Sequence, residues 1–150
     1  MVRSPGHSDS IESYCSAQVV DQHILEFVYC GYISRAMCER SFERAEALLA
    51  EHPEVDSLVF NVLDSLGHDP GNTACGIRWV AAHKARFRRS VLLTRSHTIA
   101  ALSNVSKVLL PWLDTRVATE RAEALALVRE PAPSPHKSGN YPKVRRTRAA

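Results

Sequence analysis

The stretch SLVFNVLD, residues 57–64, restricts the fold more than any other. It is an apolar run of strand length without a clean polar alternation, the pattern of a strand covered on both faces. Helical spacing flanks it. Upstream, Met37, Cys38, Phe42, Ala45, Leu48 and Leu49 recur at helical intervals, with Ser34 as N-cap and Pro53 as terminator. Downstream, NTACGIRWVAAHKARF (72–87) resumes that period through Ile77, Val80 and Ala81. SVLLT (90–94) reads as a second buried strand, and HTIAALSNVSKVL (97–109) as an amphipathic helix burying Ile99, Leu102, Val105 and Val108 or Leu109. TRVAT (115–119) is a short peripheral strand, and TERAEALALV closes with a helix whose first turn carries Glu120 and Glu123. Ahead of all this, AQVV and HILEFVYC form two strands joined tightly at Asp21-Gln22. The order ββαβαβαβα implies an α/β layered domain: a mostly parallel central sheet of four to five strands with about four helices packed against it.

The ends differ from this body. Residues 1–15 read as a polar, flexible leader without the apolar segment of a secretory signal, and residues 16–130 as the domain. Residues 131–150 hold four prolines, five basic side chains and no acid, a composition expected to stay disordered. Removing that tail turns the formal charge of +3 into −2 for residues 1–130, so the basicity is not a property of the folded surface. No apolar stretch is long enough to span a membrane, and the expected compartment is the cytoplasm. Cys15, Cys30, Cys38 and Cys75 show neither a C-x-x-C pair nor zinc-site spacing and read as reduced structural thiols.

The segment DSLGHDPGNT, 64–73, follows the buried run and reads as a loop at the carboxyl end of a strand, where open α/β sheets place ligands. Its glycines, Gly67 and Gly71, match neither phosphate-cradling pattern. His68, Asp69, Cys75 and His83 suggest a metal, but Cys75 and His83 would point about 80° apart on a helix. No second ligand cluster completes a site. Catalysis lacks a base–nucleophile pair: Ser65 sits in no nucleophile elbow, and Asp64 and Asp69 read as turn or cap residues. Thr73 reads as a helix cap. Arg78, Lys84, Arg86, Arg88 and Arg89 gather beyond the loop near Trp79, a solvated basic helix face that an acidic protein partner could use.

The elements VYCGYISRAMCERSFERAEALL, LVFNVLDSL and ATERAEALALV give the chain, over about residues 17–128, a resemblance to the STAS-like family of sulfate transporters and anti-sigma factor antagonists. It looks most like the small stand-alone bacterial members. The resemblance implies a non-enzymatic regulatory domain without a cofactor, binding a kinase-like protein. In antagonists of that family a serine opening the helix after the third strand is phosphorylated, and the added charge of about −1.5 to −2 abolishes the complex. Here the signature Asp-Ser-Ser-Gly is replaced by DPGN, Asp69 to Asn72, so the usual phosphoacceptor is missing and Ser65 and Thr73 are the nearest hydroxyls.

The expected partner surface is therefore Asp64, Ser65, Asp69, Thr73, Arg78, Trp79 and Lys84, with no specific nucleic acid, no metal and a homodimer compatible with the fold. The alternative is a small apolar ligand or lipid held between sheet and helix, with VSKVLLPWLDT contributing Leu109, Leu110 and Trp112.

Overall fold

The computed structural model describes residues 12–131; the predicted leader up to residue 11 and the basic tail from residue 132 lie outside the described residues. Five strands, β1 (Tyr14–Val20), β2 (Ile24–Ile33), β3 (Ser57–His68), β4 (Arg89–Leu93) and β5 (Asp114–Ala118), form one sheet in that spatial order. β1 pairs antiparallel with β2, and all other pairs are parallel. The hairpin turn uses left-handed conformations at Asp21 (φ 51°) and Gln22 (φ 63°), the tight connection expected there. β1 takes up Tyr14 and Cys15, which the leader reading placed outside the domain.

Three parallel crossovers wound in one direction put their helices on one face. These are α1 (Arg35–Glu51), α2 (Asn72–Ala82) and α3 (His97–Leu109), while α4 (Arg121–Arg129) covers the other face. Side chains alternate along each strand, so the sheet divides two cores. Leu25, Phe27 and Tyr29 of β2 meet α1 through Cys38, Phe42 and Ala45. Ile24, Val59, Val91 and Leu93 meet Ala124, Leu125 and Val128 of α4. Phe27 is the hub of the larger core, stacked on Phe60 at 5.0 Å and met edge-on by Phe42 at 5.3 Å and Trp79 at 5.6 Å.

The sequence placed α1 well: Ser34 is the N-cap, its hydroxyl accepting from Met37 N at 3.2 Å, and the apolar stripe is buried apart from the half-buried Met37. Two expectations need correction. β3 does not end at Asp64 but runs through His68, because Asp64–His68 pair with Cys30–Ile33 of β2 as a two-stranded extension beyond the reach of β4. And α3 does not bury its apolar stripe: Leu102, Val105, Val108 and Leu109 are 36%, 46%, 77% and 55% exposed, and of this helix only Ser103 is buried.

Of the basic residues expected on a helix face, Arg86, Arg88 and Arg89 lie past the end of α2 and bond to distant elements. Arg86 donates to the carbonyls of Leu49, His52 and Val55 at the C-terminus of α1. Arg89, 1% exposed, donates to Leu127 and Glu130 carbonyls at the end of α4, each at 2.7 Å, and to Asp114 at 2.7 Å. Both guanidiniums meet the orphan carbonyls at the negative end of a helix dipole. Glu26 is completely buried on the α4 face, where Gln18 and Arg121 donate to it at 2.8 and 3.0 Å. Burial pushes its carboxyl up, but the hydrogen bonds of Arg121 and Gln18 outweigh that and hold it below its usual range.

Asp114 gives the acid limb of stability a defined origin. Burial raises its carboxyl, while hydrogen bonds from Arg116 and Arg89 pull it net below the ordinary value. Its contribution is therefore complete above the unfolded carboxylate value of about 3.9 and fades as pH falls through the lower folded value. Arg89→Leu strands the α4 carbonyls and leaves Asp114 to Arg116 alone, and its expected cost is about 3–5 kcal/mol. Urea unfolding at several pH values checks both: the variant has a lower midpoint at pH 7 and a smaller loss between pH 5 and 3.

Candidate functional site

The β2–β3 extension ends beside the N-termini of α1 and α2, and Asp69 ties these together. Its carboxylate accepts from Arg35 N and from the Tyr32 hydroxyl, each at 2.7 Å. The hydrogen bond from Tyr32, followed by that of the Arg35 amide, lowers the Asp69 carboxyl. Only Asp69, Pro70 and Gly71 separate β3 from α2, so the long recognition loop of the sequence reading shrinks to a three-residue turn. Gly71, at φ 88°, is the N-cap of α2 and carries no capping side chain; Thr73 stands inside the first turn and is not the cap. Asn72 anchors this corner by donating Nδ2 to the Ile33 carbonyl at 3.0 Å.

Behind the turn, α2 and α3 stand off the sheet and leave a cavity of about 190 Å³. Its sheet wall is Phe60 and Val62 of β3, Ser90 and Leu92 of β4, and Thr115 of β5. Ile77 and Val80 of α2 and Ile99, Leu102 and Ser103 of α3 face them. The reason is local: Ser90 and Thr115 put short polar side chains on the sheet where a closed core would carry branched apolar ones, and Ser103 does the same from α3. Cys38 and Tyr29 also line the space. Burial pushes the Cys38 thiol up to about 12 and raises the Tyr29 hydroxyl well above its usual value, so both stay neutral.

Of the residues singled out from the sequence, Ser65 and Thr73 line this cavity. The others do not join them. Asp64 is exposed on β3 opposite Cys30; Arg78 and Lys84 are exposed on and just after α2. Trp79 is half-buried, stacked on Phe42 at 5.0 Å and donating Nε1 to Glu46 at 2.8 Å, so it joins α1 to α2. For the alternative reading, Leu110 lines the cavity as expected, while Leu109 points to solvent and Trp112 packs against the main core. The sequence reading missed Asn72, Ser90, Ser103 and Thr115. The signal available was a serine or threonine at strand and helix positions whose neighbours two or three residues away are apolar.

Comparison with known proteins bears on the fold. No family model matches the chain, and no curated protein does. Among solved structures, an uncharacterised protein of the DUF3478 family from Shewanella loihica PV-4, with a SpoIIAA-like fold, superimposes with a TM-score of 0.62 at 13% identity, covering 83% of this chain and 99% of that one. The anti-sigma factor antagonist SpoIIAA in its unphosphorylated form gives 0.56 at 16% identity, covering 78% of this chain and 99% of that one. The phosphorylated form of SpoIIAA, a Bacillus cell fate determinant, gives 0.52 at 19% identity, covering 77% and 99%. The chain thus has the SpoIIAA-like fold that the STAS-like resemblance implied.

Asp69 is therefore expected to act as a structural clasp. Its lowered carboxyl stabilises the fold above the unfolded value and loses that effect as pH falls through the folded one. Tyr32→Phe is expected to raise the Asp69 carboxyl toward its usual value, followed by carboxyl carbon shifts in an NMR titration. Asp69→Ala is expected to speed hydrogen exchange at the Arg35 and Met37 amides, while amides of β4 and α4 keep their wild-type protection.

Proposed function

We propose that this protein is a non-enzymatic, cytoplasmic binding module of SpoIIAA-like fold, and that the cavity between the sheet and α2–α3 is its ligand site. The observation that carries the reading is the space itself, about 190 Å³ between the sheet and two helices, lined mainly by Ile33, Phe60, Val62, Ile77, Leu92 and Ile99. Carbon supplies most of the lining, as in most small-molecule sites. This favours the ligand-binding reading over the loop-centred one.

A second reading, a docking surface for a protein partner such as a kinase-like regulator, has one observation of its own. Thr73 stands in the first turn of α2, the place where the family resemblance puts a phosphoacceptor, and a helix N-terminus welcomes phosphate. Asp64, Arg78 and Lys84 keep their exposure for such a partner.

Filling the cavity separates the two. Ser103→Leu adds carbon into the space from a buried position and is expected to weaken saturable binding of octan-1-ol, read by amide shifts at Gly76 and Ile99, about tenfold or more. Equal binding by wild type and variant would place the site elsewhere. Replacing Asp64, Arg78 and Lys84 together by Ala is expected to leave octanol binding unchanged; if a kinase-like protein recovered by the wild type is lost with the triple variant, the docking surface gains its support.

A further inference from the structure

Among the described residues the sheet ends in two free edges, β1 and β5, and they are built differently. β5 is five residues long and carries Asp114 and Arg116. Short, charged edge strands guard against pairing with another chain. β1 is seven residues long, Tyr14–Val20, and holds no acid, no base and no proline. Its register with β2 runs unbroken from Tyr14↔Cys30 to Val20↔Ile24, without a bulge. Alternate residues of such a strand turn N–H and C=O outward, so β1 presents a regular ladder with one side unmade.

What stands over that edge is selective. Cys15, Ala17 and Val19 face α1 and stay half-buried, whereas Tyr14, Ser16 and Gln18 on the other face are exposed. Ser41 of α1 reaches the Cys15 thiol, and Leu48, two turns on, is buried along the same flank of the helix. Arg44 lies three residues after Ser41 and four before Leu48, so it projects from that flank, and Arg40 precedes it by one turn. Both are exposed, and among the described residues neither makes an ion pair. Most of the helix acids are sorted the other way: Glu39, Glu43 and Glu46 gather with Trp79 and Cys75 on the α2 side. Glu51 shares the β1 flank only at the end of the helix.

We propose that β1 receives an extended acidic segment of a partner protein as an added antiparallel strand, with two carboxylates set two residues apart on the α1 face. Four residues of helix advance about 6 Å and two residues of strand about 6.8 Å, so an acid-x-acid pair matches Arg40 and Arg44. The main chain supplies the contact along β1, and the arginines choose the sequence. They also refuse a second copy of this chain. Pairing β1 with itself about a twofold axis keeps both α1 helices on one side of the sheet and brings the arginines of one beside those of the other. No β1 residue lines the cavity, so this edge is separate from the ligand site.

The test uses the full chain and the peptide acetyl-Val-Thr-Glu-Thr-Glu-Thr-Val-amide, whose valines and glutamates share one face and whose threonines share the other. Binding is followed at low salt by ¹H–¹⁵N spectra and is expected to move the amides of Tyr14–Val20. Two N-methylated forms, one blocked at both glutamates and one at the threonines, lose hydrogen bonding on opposite edges of the peptide. One is expected to bind like the parent and the other about tenfold or more weakly. Glutamine in place of both glutamates, or Arg40→Ala with Arg44→Ala in the protein, is expected to weaken binding about threefold or more. Combined, the two changes are expected to cost little more than either alone. Equal binding by both N-methylated forms overturns strand addition, as do shifts at Asp114–Ala118 in place of Tyr14–Val20. If the glutamine peptide binds as tightly as its parent, or the double variant as tightly as wild type, the acidic partner is overturned. If the peptide does not bind, the whole proposal falls.

Discussion

Winding the parallel sheet in one direction places three helices on a single face, and the rest of the structure follows from how they share it. The 17-residue α1 takes the β1–β3 portion. Phe42 and Trp79 close over Phe27 there, in an aromatic cluster with ring centroids 5.0–5.6 Å apart. The shorter α2 and α3 inherit β3 to β5, where the sheet offers Ser90 and Thr115. They cannot bury there what α1 buries. The cavity and the exposed stripe of α3 have this one origin.

Electrostatics are spent mostly on holding elements together. Arg86 and Arg89 each satisfy helix C-terminal carbonyls, and Asp69 takes the first amide of α1. Each replaces water at a helix end with an oppositely signed side chain from a distant element, which fixes the helix as well as capping it. A cluster that looks basic in the sequence therefore contributes little positive surface. What remains exposed there is Arg78 and Lys84.

Local periodicity made α1, β3 and the layer architecture legible in the sequence, because the stripe of α1 and the apolar run of β3 report burial directly. The extension of β3 through His68 was hidden. DSLGH contains turn formers, and only pairing with β2, more than thirty positions upstream, makes it a strand. Asp69 stood out in the sequence, but its clasp role was hidden for the same reason, since its partners Tyr32 and Arg35 are 37 and 34 positions away. The stripe of α3 was seen correctly as a stripe and wrongly as buried: periodicity marks a face and says nothing of what covers it. Ser65 and Thr73, the hydroxyls nearest the replaced signature, line the cavity, while Ser90, Ser103 and Thr115 carry only the faint signal of a lone hydroxyl among apolar neighbours.

A gap in a protein interior forfeits dispersion contacts, and an unpaired buried oxygen adds the cost of its desolvation. Valine at Thr115 and an apolar residue at Ser90 or Ser103 would reduce both costs without disturbing the backbone, since each is a shape that a β4–β5 wall or a helix readily accepts. The chain keeps hydroxyls at all three positions and an amide at Asn72, all four buried and all four lining one space. Four such choices converging on the space under α2 and α3 are poorly explained by packing. The ligand site proposed above accounts for them, since a bound molecule would complete the wall.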